Sequence, residues 1–187
     1  MANPKLVPND RMSALIAGIQ KNAKRGMRDL DTILSEFPDD PRLHFLKGSL
    51  QAGREDYAAA RISMRRAVDL APDFAVARFQ LGLLLLTSGE PHAAQEAWGP
   101  LHALPMDNYL HLFVQGLTHL IQDQFDDTIR LLQDGIARNR ENAPMNNDMQ
   151  MIIDEVRRTM AGQDKGGAAT SSVDLLLQQA RLKSTRH

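Results

Sequence analysis

The sequence predicts an all-α fold, a solenoid of antiparallel helix pairs, and three observations carry the prediction. Gly48, Gly82 and Gly116 stand 34 residues apart. Phe45, Phe79 and Phe113 keep the same step, as do Ala60 and Ala94. Each stretch of that length holds two apolar patterns of helical period parted by a short polar break, as in PRLHFLKGSLQAG followed by REDYAAARISMRRAVDLAP. A period in this range marks units that cannot bury their apolar faces alone and so stack on their neighbours.

Carried along the chain, the grid gives four units, 7–40, 41–74, 75–108 and 109–142. In the first, Ala14 takes the glycine position, Gly26 the alanine position, and Pro38 precedes Pro72 by the same step. Helix starts are punctuated by Asp40-Pro41, Glu90-Pro91 and Asp107-Asn108, which pair a capping side chain or a first-turn proline with the following apolar run. A glycine inside a helix costs about 1 kcal/mol relative to alanine, so Gly48, Gly82 and Gly116 call for a close approach by the second helix. Ala60, Ala94 and the weaker Thr128 are the small residues expected to face them, with Met64, Trp98 and Leu132 filling the next layer beside Ala67 and Leu101. The repeat-packing set is therefore Gly48, Ala60, Gly82, Ala94 and Gly116.

Asn142-Ala143-Pro144 interrupts the pattern, and MNNDMQMIIDEVRRTM then reads as one more helix, burying Met149, Ile152, Ile153 and Val156 and capping the stack. The repeat domain is thus expected over 7–160, with a flexible Gly-rich linker over 161–170. A tail over 171–187 holds a short amphipathic helix in which Val173, Leu176, Leu177 and Ala180 share a face. A helix that short is marginal alone in water, so the tail either docks or stays partly disordered.

Composition removes several functions. The 187 residues include 22 basic and 23 acidic side chains and no cysteine. No net field draws nucleic acid, and disulfides, thiolate metal sites and cysteine nucleophiles are excluded. The longest purely apolar stretch, 83–86, is far too short for a membrane span, and the N-terminal stretch lacks the apolar core of an export signal, which makes the cytoplasm the expected location. His44, His92, His102, His111, His119 and His187 form no HExxH and no one-turn pair, so no metal is expected. The carboxylate pairs Glu55-Asp56, Asp126-Asp127 and Asp154-Glu155 sit in early helical turns or on polar faces, where the helix dipole accounts for them. With no GxSxG, phosphate loop or dinucleotide motif either, the chain is read as a non-enzyme without cofactor. The basic clusters at Lys21, Lys24, Arg25 and Arg28 and at Arg61, Arg65 and Arg66 read as solvated helix faces.

The grid resembles the tetratricopeptide repeat (TPR). At that family's positions 8, 20, 24, 27 and 32 the second unit has Gly48, Ala60, Met64, Ala67 and Pro72, and the third has Gly82, Ala94, Trp98, Leu101 and Met106, with Pro105 displaced by one. The outer units are degenerate: Ala14, Gly26, Leu30, Ile33 and Pro38 in the first, Gly116, Thr128, Leu132, Gly135 and Arg140 in the fourth. The large residue at position 4 is replaced by Asp10, His44, Arg78 and Leu112, and the tyrosine at position 11 by Gln51, Leu85 and His119 in the last three units.

What the resemblance implies is a right-handed superhelix whose concave face is lined by the first helix of each pair. The matching positions hold Phe45, Phe79, Leu83, Leu86, Phe113, Leu117 and Leu120, an apolar strip expected to accept a protein or peptide client with an apolar or amphipathic face. The family's clamp for an acidic peptide terminus is absent, since Phe45 and Ser49 stand where Lys and Asn would. The expected function is that of a non-catalytic interaction adaptor or small chaperone. Two alternatives are a homo-oligomeric scaffold whose groove holds its own or a neighbour's C-terminal helix, and an enzyme with an unrecognised site.

Overall fold

The computed structural model describes residues 5–163, and among these there are nine α-helices, one short 3₁₀ helix and no strand. They are α1 (Asn9–Lys21), α2 (Ala23–Glu36), α3 (Pro41–Ala52), α4 (Tyr57–Leu70), α5 (Ala75–Thr87), α6 (Pro91–Trp98), the 3₁₀ helix Gly99–Ala103, α7 (Tyr109–Ile121), α8 (Phe125–Arg138) and α9 (Ala143–Gln163). Helices α3, α5, α7 and α9 begin at Pro41, Ala75, Tyr109 and Ala143, so the 34-residue step of the sequence is the step of the helix pairs. No described helix is long and apolar enough to cross a membrane. Contacts divide the chain into two compact units, Met1–Leu81 and Gly82–His187, with the division inside α5.

Within the first unit, α1 packs on α2, α2 on α3 and α3 on α4. Val7, Leu15, Leu30, Ile33, Phe37 and Leu43 form its core, with Ile19, Met27, Leu46 and Leu50 against it. Only Asn22 separates α1 from α2; its side chain accepts from the Arg25 amide at 3.0 Å and starts the second helix. The entering strand of chain is held by Asp40, which has no solvent exposure. Its carboxylate accepts from the Val7 amide at 2.8 Å, the Arg42 amide at 3.0 Å and the Arg42 guanidinium at 2.7 and 3.0 Å. Arg42 in turn donates to the Val7 carbonyl at 2.7 Å and to the Asn9 side chain at 3.2 Å. Asp40 therefore caps α3 and pins residue 7 at once. Its burial pushes the carboxyl pKa up, but the donors gathered from Arg42 and Val7 outweigh that and hold it below the ordinary value.

The glycines do mark close helix approach, through a different partner from the one expected. A Cβ on Gly48 would lie 2.6 Å from Met64 Cγ, one on Gly82 2.5 Å from Trp98 Cδ1 and Cε2, and one on Gly116 2.9 Å from Leu132 Cδ2. In all three pairs the glycine is the seat of the large residue 16 positions later. Of the small residues expected to face them, only Ala60 comes near, through its carbonyl oxygen at 3.2 Å from the added Cβ; Ala60, Ala94 and Thr128 are themselves fully buried. In the first pair the roles reverse, because Gly26 on α2 accommodates Ile19 of α1.

A second periodic feature closes each of these pairs. Glu55, Gly89 and Asp123, again 34 apart, adopt positive φ of 63°, 82° and 57°. The amides of Asp56, Glu90 and Gln124 donate to the carbonyls of Gln51, Leu85 and His119 at 2.9–3.0 Å, and those of Glu55, Gly89 and Asp123 donate to Ala52, Leu86 and Leu120 at 2.9–3.1 Å. This is the Schellman arrangement, which satisfies the last carbonyls of the first helix and turns the chain into the second.

The departures from the family pattern also acquire partners. At position 4, His44 donates to the Pro38 carbonyl at 2.7 Å and Arg78 to the Pro72 carbonyl at 2.8 Å, so a polar side chain ties α3 and α5 to the proline turn that precedes each. At position 11, Gln51 accepts from buried Ser63 at 2.7 Å, Leu85 is buried, and His119 hydrogen-bonds Gln124.

Within the second unit, α6 ends at Trp98 after 8 residues where α2, α4 and α8 each run 14. Pro100 explains the stop, since it has no amide to donate and its ring clashes with the carbonyl four residues back; the chain continues as the 3₁₀ helix, packed on α7. Beyond α8, buried Asn139 donates to Asn146 Oδ1 at 2.8 Å and to the Asn142 carbonyl at 3.1 Å, while Asn142 caps α9 by accepting from the Met145 amide at 3.1 Å. Pro144 thus lies inside the first turn, where it is tolerated. Helix α9 packs on α8 with Met145, Met149, Ile152, Ile153 and Val156 buried, and it continues to Gln163, past the expected start of the linker. The rest of the expected linker and the tail residues Val173, Leu176, Leu177 and Ala180 lie outside the described residues.

Candidate protein-interaction surface

The surface expected to take a client is the row of register positions 2, 5, 9 and 12 along α3, α5 and α7. On α3 it is open. Phe45 is half-buried, its ring 5.2 Å from that of Phe74 and tilted by 60°. Ser49, one turn on, is exposed and returns its hydroxyl to the Phe45 carbonyl at 3.0 Å. Val76, at position 2 of α5, is half-buried.

On the rest of α5 and on α7 the row is closed. Phe79, Leu83, Leu86, Phe113, Leu117 and Leu120 are all buried in the chain by itself. The expectation of an exposed apolar strip through these six side chains is therefore corrected. For Phe113 the reason is visible: position 27 of its unit is Gly135 on α8, and a Cβ there would lie 2.5 Å from Phe113 Cδ1 and Cε1. The ring fills the space where the other units carry Ile33, Ala67 and Leu101. It also meets Tyr109 edge-on with centroids 5.8 Å apart, and burial, with a smaller contribution from Glu141, raises the Tyr109 phenol pKa. Phe113 is thus a packing residue between α7 and α8.

Burial on these two helices is not confined to one face. On α7 the buried residues are 110–114, 116, 117 and 120, which at 100° per residue leave no open sector wider than about 100°. On α5 the six consecutive residues 81–86 are buried. The remaining sector of α7 is polar and carries Gln115, Thr118 and His119.

Other candidates are dispersed. Among the described residues no three His, Asp or Glu side chains gather as a metal-binding group. Of the basic clusters, Arg25 lies 3.7 Å from Asp29 and Arg66 pairs with Asp39 at 2.8 Å. Large exposed apolar side chains occur at Leu6, Ile16, Tyr57, Ile62, Met106 and Met151; they hold no common register position. Periodicity alone missed the pair His102 and His111, whose rings lie 6.1 Å apart at 88°.

No protein-family model matches the chain, and no curated protein matches it. Solved structures do. MamA 41-end from Desulfovibrio magneticus RS-1 superposes with a TM-score of 0.54 at 15% identity, covering 97% of this chain and 100% of that one. The MamA RS-1 ArsTM double mutant gives the same TM-score, identity and coverage. At that identity the likeness is one of fold.

Proposed function

We propose that this chain is a non-catalytic interaction adaptor or small chaperone of the tetratricopeptide kind, acting in the cytoplasm and holding an apolar or amphipathic peptide segment of a client against its first helices. The observation that supports the reading is the open part of the row on α3, where Phe45 is half-buried beside Phe74 and Ser49 is exposed. A half-open aromatic beside an exposed position gives an apolar segment a place to desolvate, which is how a repeat protein grips a partner segment.

The test uses the full chain as bait in extract of its native source, followed by titration with the purified client. A stoichiometric complex without turnover is expected. Ser49→Glu places a charge on an exposed position of the row and leaves the core untouched, so affinity should fall tenfold or more with unchanged helical circular dichroism. Equal affinity for the variant would remove α3 from the binding surface.

A second reading is a homo-oligomeric scaffold in which residues 171–187 of this or a neighbouring copy take the client's place. Deleting 171–187 and measuring mass and client affinity separates the two. Tighter capture of the client marks an occluding segment, loss of assembly marks an exchanged one, and no change in either excludes this second reading.

A further inference from the structure

His111 stands out from the rest of α7. It is 6% exposed, and neither ring nitrogen has a hydrogen-bond partner. Buried polar atoms are nearly always paired, and an unpaired imidazole calls for a water, an ion or another ligand. The repeat shows that this is a replacement and not a requirement of the packing. The same register position is Leu43 in the second unit and Ala77 in the third, and Met145 takes it in α9, all three fully buried. The position of His102 is held elsewhere by Leu34, Val68 and Ile136. Two positions that are apolar in the other units, save for Asn9 at the His111 register of the first, have both become histidine, and their rings are brought to 6.1 Å.

The segment that carries His102 is the irregular one. Pro100 ends α6 early and forces the 3₁₀ helix Gly99–Ala103, which packs on α7. His111 is thus buried in the body of the second unit, and His102, which is exposed, opens on solvent.

We infer that His102 and His111 form a two-imidazole site for a late first-row divalent cation such as Zn²⁺ or Ni²⁺. Imidazole nitrogen suits these ions and leaves Mg²⁺ and Ca²⁺ to oxygen donors. With metal–nitrogen bonds of about 2.0–2.1 Å, two imidazoles on one ion have ring centroids roughly 5 to 6.5 Å apart, and the observed separation falls in that range. No third His, Asp or Glu gathers with them among the described residues, so water on the His102 side completes the shell and the affinity is micromolar in scale. The ion would join the 3₁₀ helix to α7.

The test is titration of the untagged full chain with Zn²⁺ alone, by calorimetry and by equilibrium dialysis. One saturable equivalent and a rise in Tm with Zn²⁺ are expected. His111→Leu and His102→Val install residues that the repeat already tolerates at these positions, so both variants should fold. Each should weaken Zn²⁺ binding at least tenfold and abolish the Tm rise, while Mg²⁺ gives no effect on any form. A wild-type chain without saturable Zn²⁺ binding overturns the assignment and leaves His111 with a buried water. Undiminished binding in the double variant overturns it too, and moves the ion to another histidine.

Discussion

Gly82→Ala tests the close approach on which the helix pairs depend. The new Cβ would lie 2.5 Å from Trp98 Cδ1 and Cε2 and closer still to Nε1, distances at which something must move. Trp98 is fully buried and is the largest side chain in the core, so its ring has no solvent to tip into. Alanine gains about 1 kcal/mol of helix propensity over glycine, and overpacking of this severity costs about 3 kcal/mol. The balance is a loss of about 2 kcal/mol. For a chain of this length each kcal/mol moves Tm by about 2–4 °C, so a fall of about 4–8 °C is expected by circular dichroism, with a lower urea midpoint. Gly18→Ala in α1 is the control. Nothing lies within 4 Å of its added Cβ, and it should gain stability by the propensity difference alone, up to about 1 kcal/mol. Trp98→Leu in the Gly82→Ala background should recover part of the loss, since Leu132 fills the same register against Gly116. If Gly82→Ala stabilises the chain as Gly18→Ala does, the glycines are not packing residues and the account of the helix pairs falls.

Two further substitutions probe the turns and the buried carboxylate. Glu55 holds a positive φ that only glycine adopts without cost, so Glu55→Gly should stabilise by about 1 kcal/mol in urea denaturation, and Gly89→Ala should destabilise by a similar amount; the opposite signs would show that the left-handed position is not what limits the turn. Asp40→Asn should cost about 2–4 kcal/mol at pH 7, because it strips charge from a carboxylate gathered by Arg42 and the Val7 amide. The folded carboxyl pKa is lowered, so its stabilisation is complete above the unfolded value of about 3.9 and is lost as pH falls through the folded one. The gap between Asp40→Asn and wild type should therefore shrink below about pH 4; a gap constant down to pH 2 contradicts the ionic contribution.

The order of helices was legible because burial in a repeat is periodic in sequence. Helix starts at Pro41, Ala75 and Tyr109 coincide with the first residues of the units drawn from glycine and phenylalanine spacing alone. The capping roles of Asp40 and Asn108 followed from the side chains that precede those starts, and both accept the expected amide bonds. The turns were less legible. Only Gly89 advertises a left-handed residue, and Glu55 and Asp123 occupy the same conformation without the glycine that would signal it. The shortened α6 was written in Gly99-Pro100, which a grid tuned to recurring residues passes over.

Periodicity says that a position is covered and not by what, and the candidate surface shows the difference. Phe45, Phe79 and Phe113 share one register position, yet Phe45 stacks on Phe74 at a half-open site while Phe113 fills the gap left by Gly135. The residue 22 positions downstream accounts for Phe113 alone, since Gly135 makes room for its ring; Phe79 is fully buried with Leu101 at that place, and Phe45 is half-open with Ala67 there. The same reasoning separates His111 from Leu43. The fold buries both, but only the imidazole arrives with two nitrogens that burial leaves unpaired, and that mismatch between a residue and its place in the repeat marks where this chain departs from simple stacking.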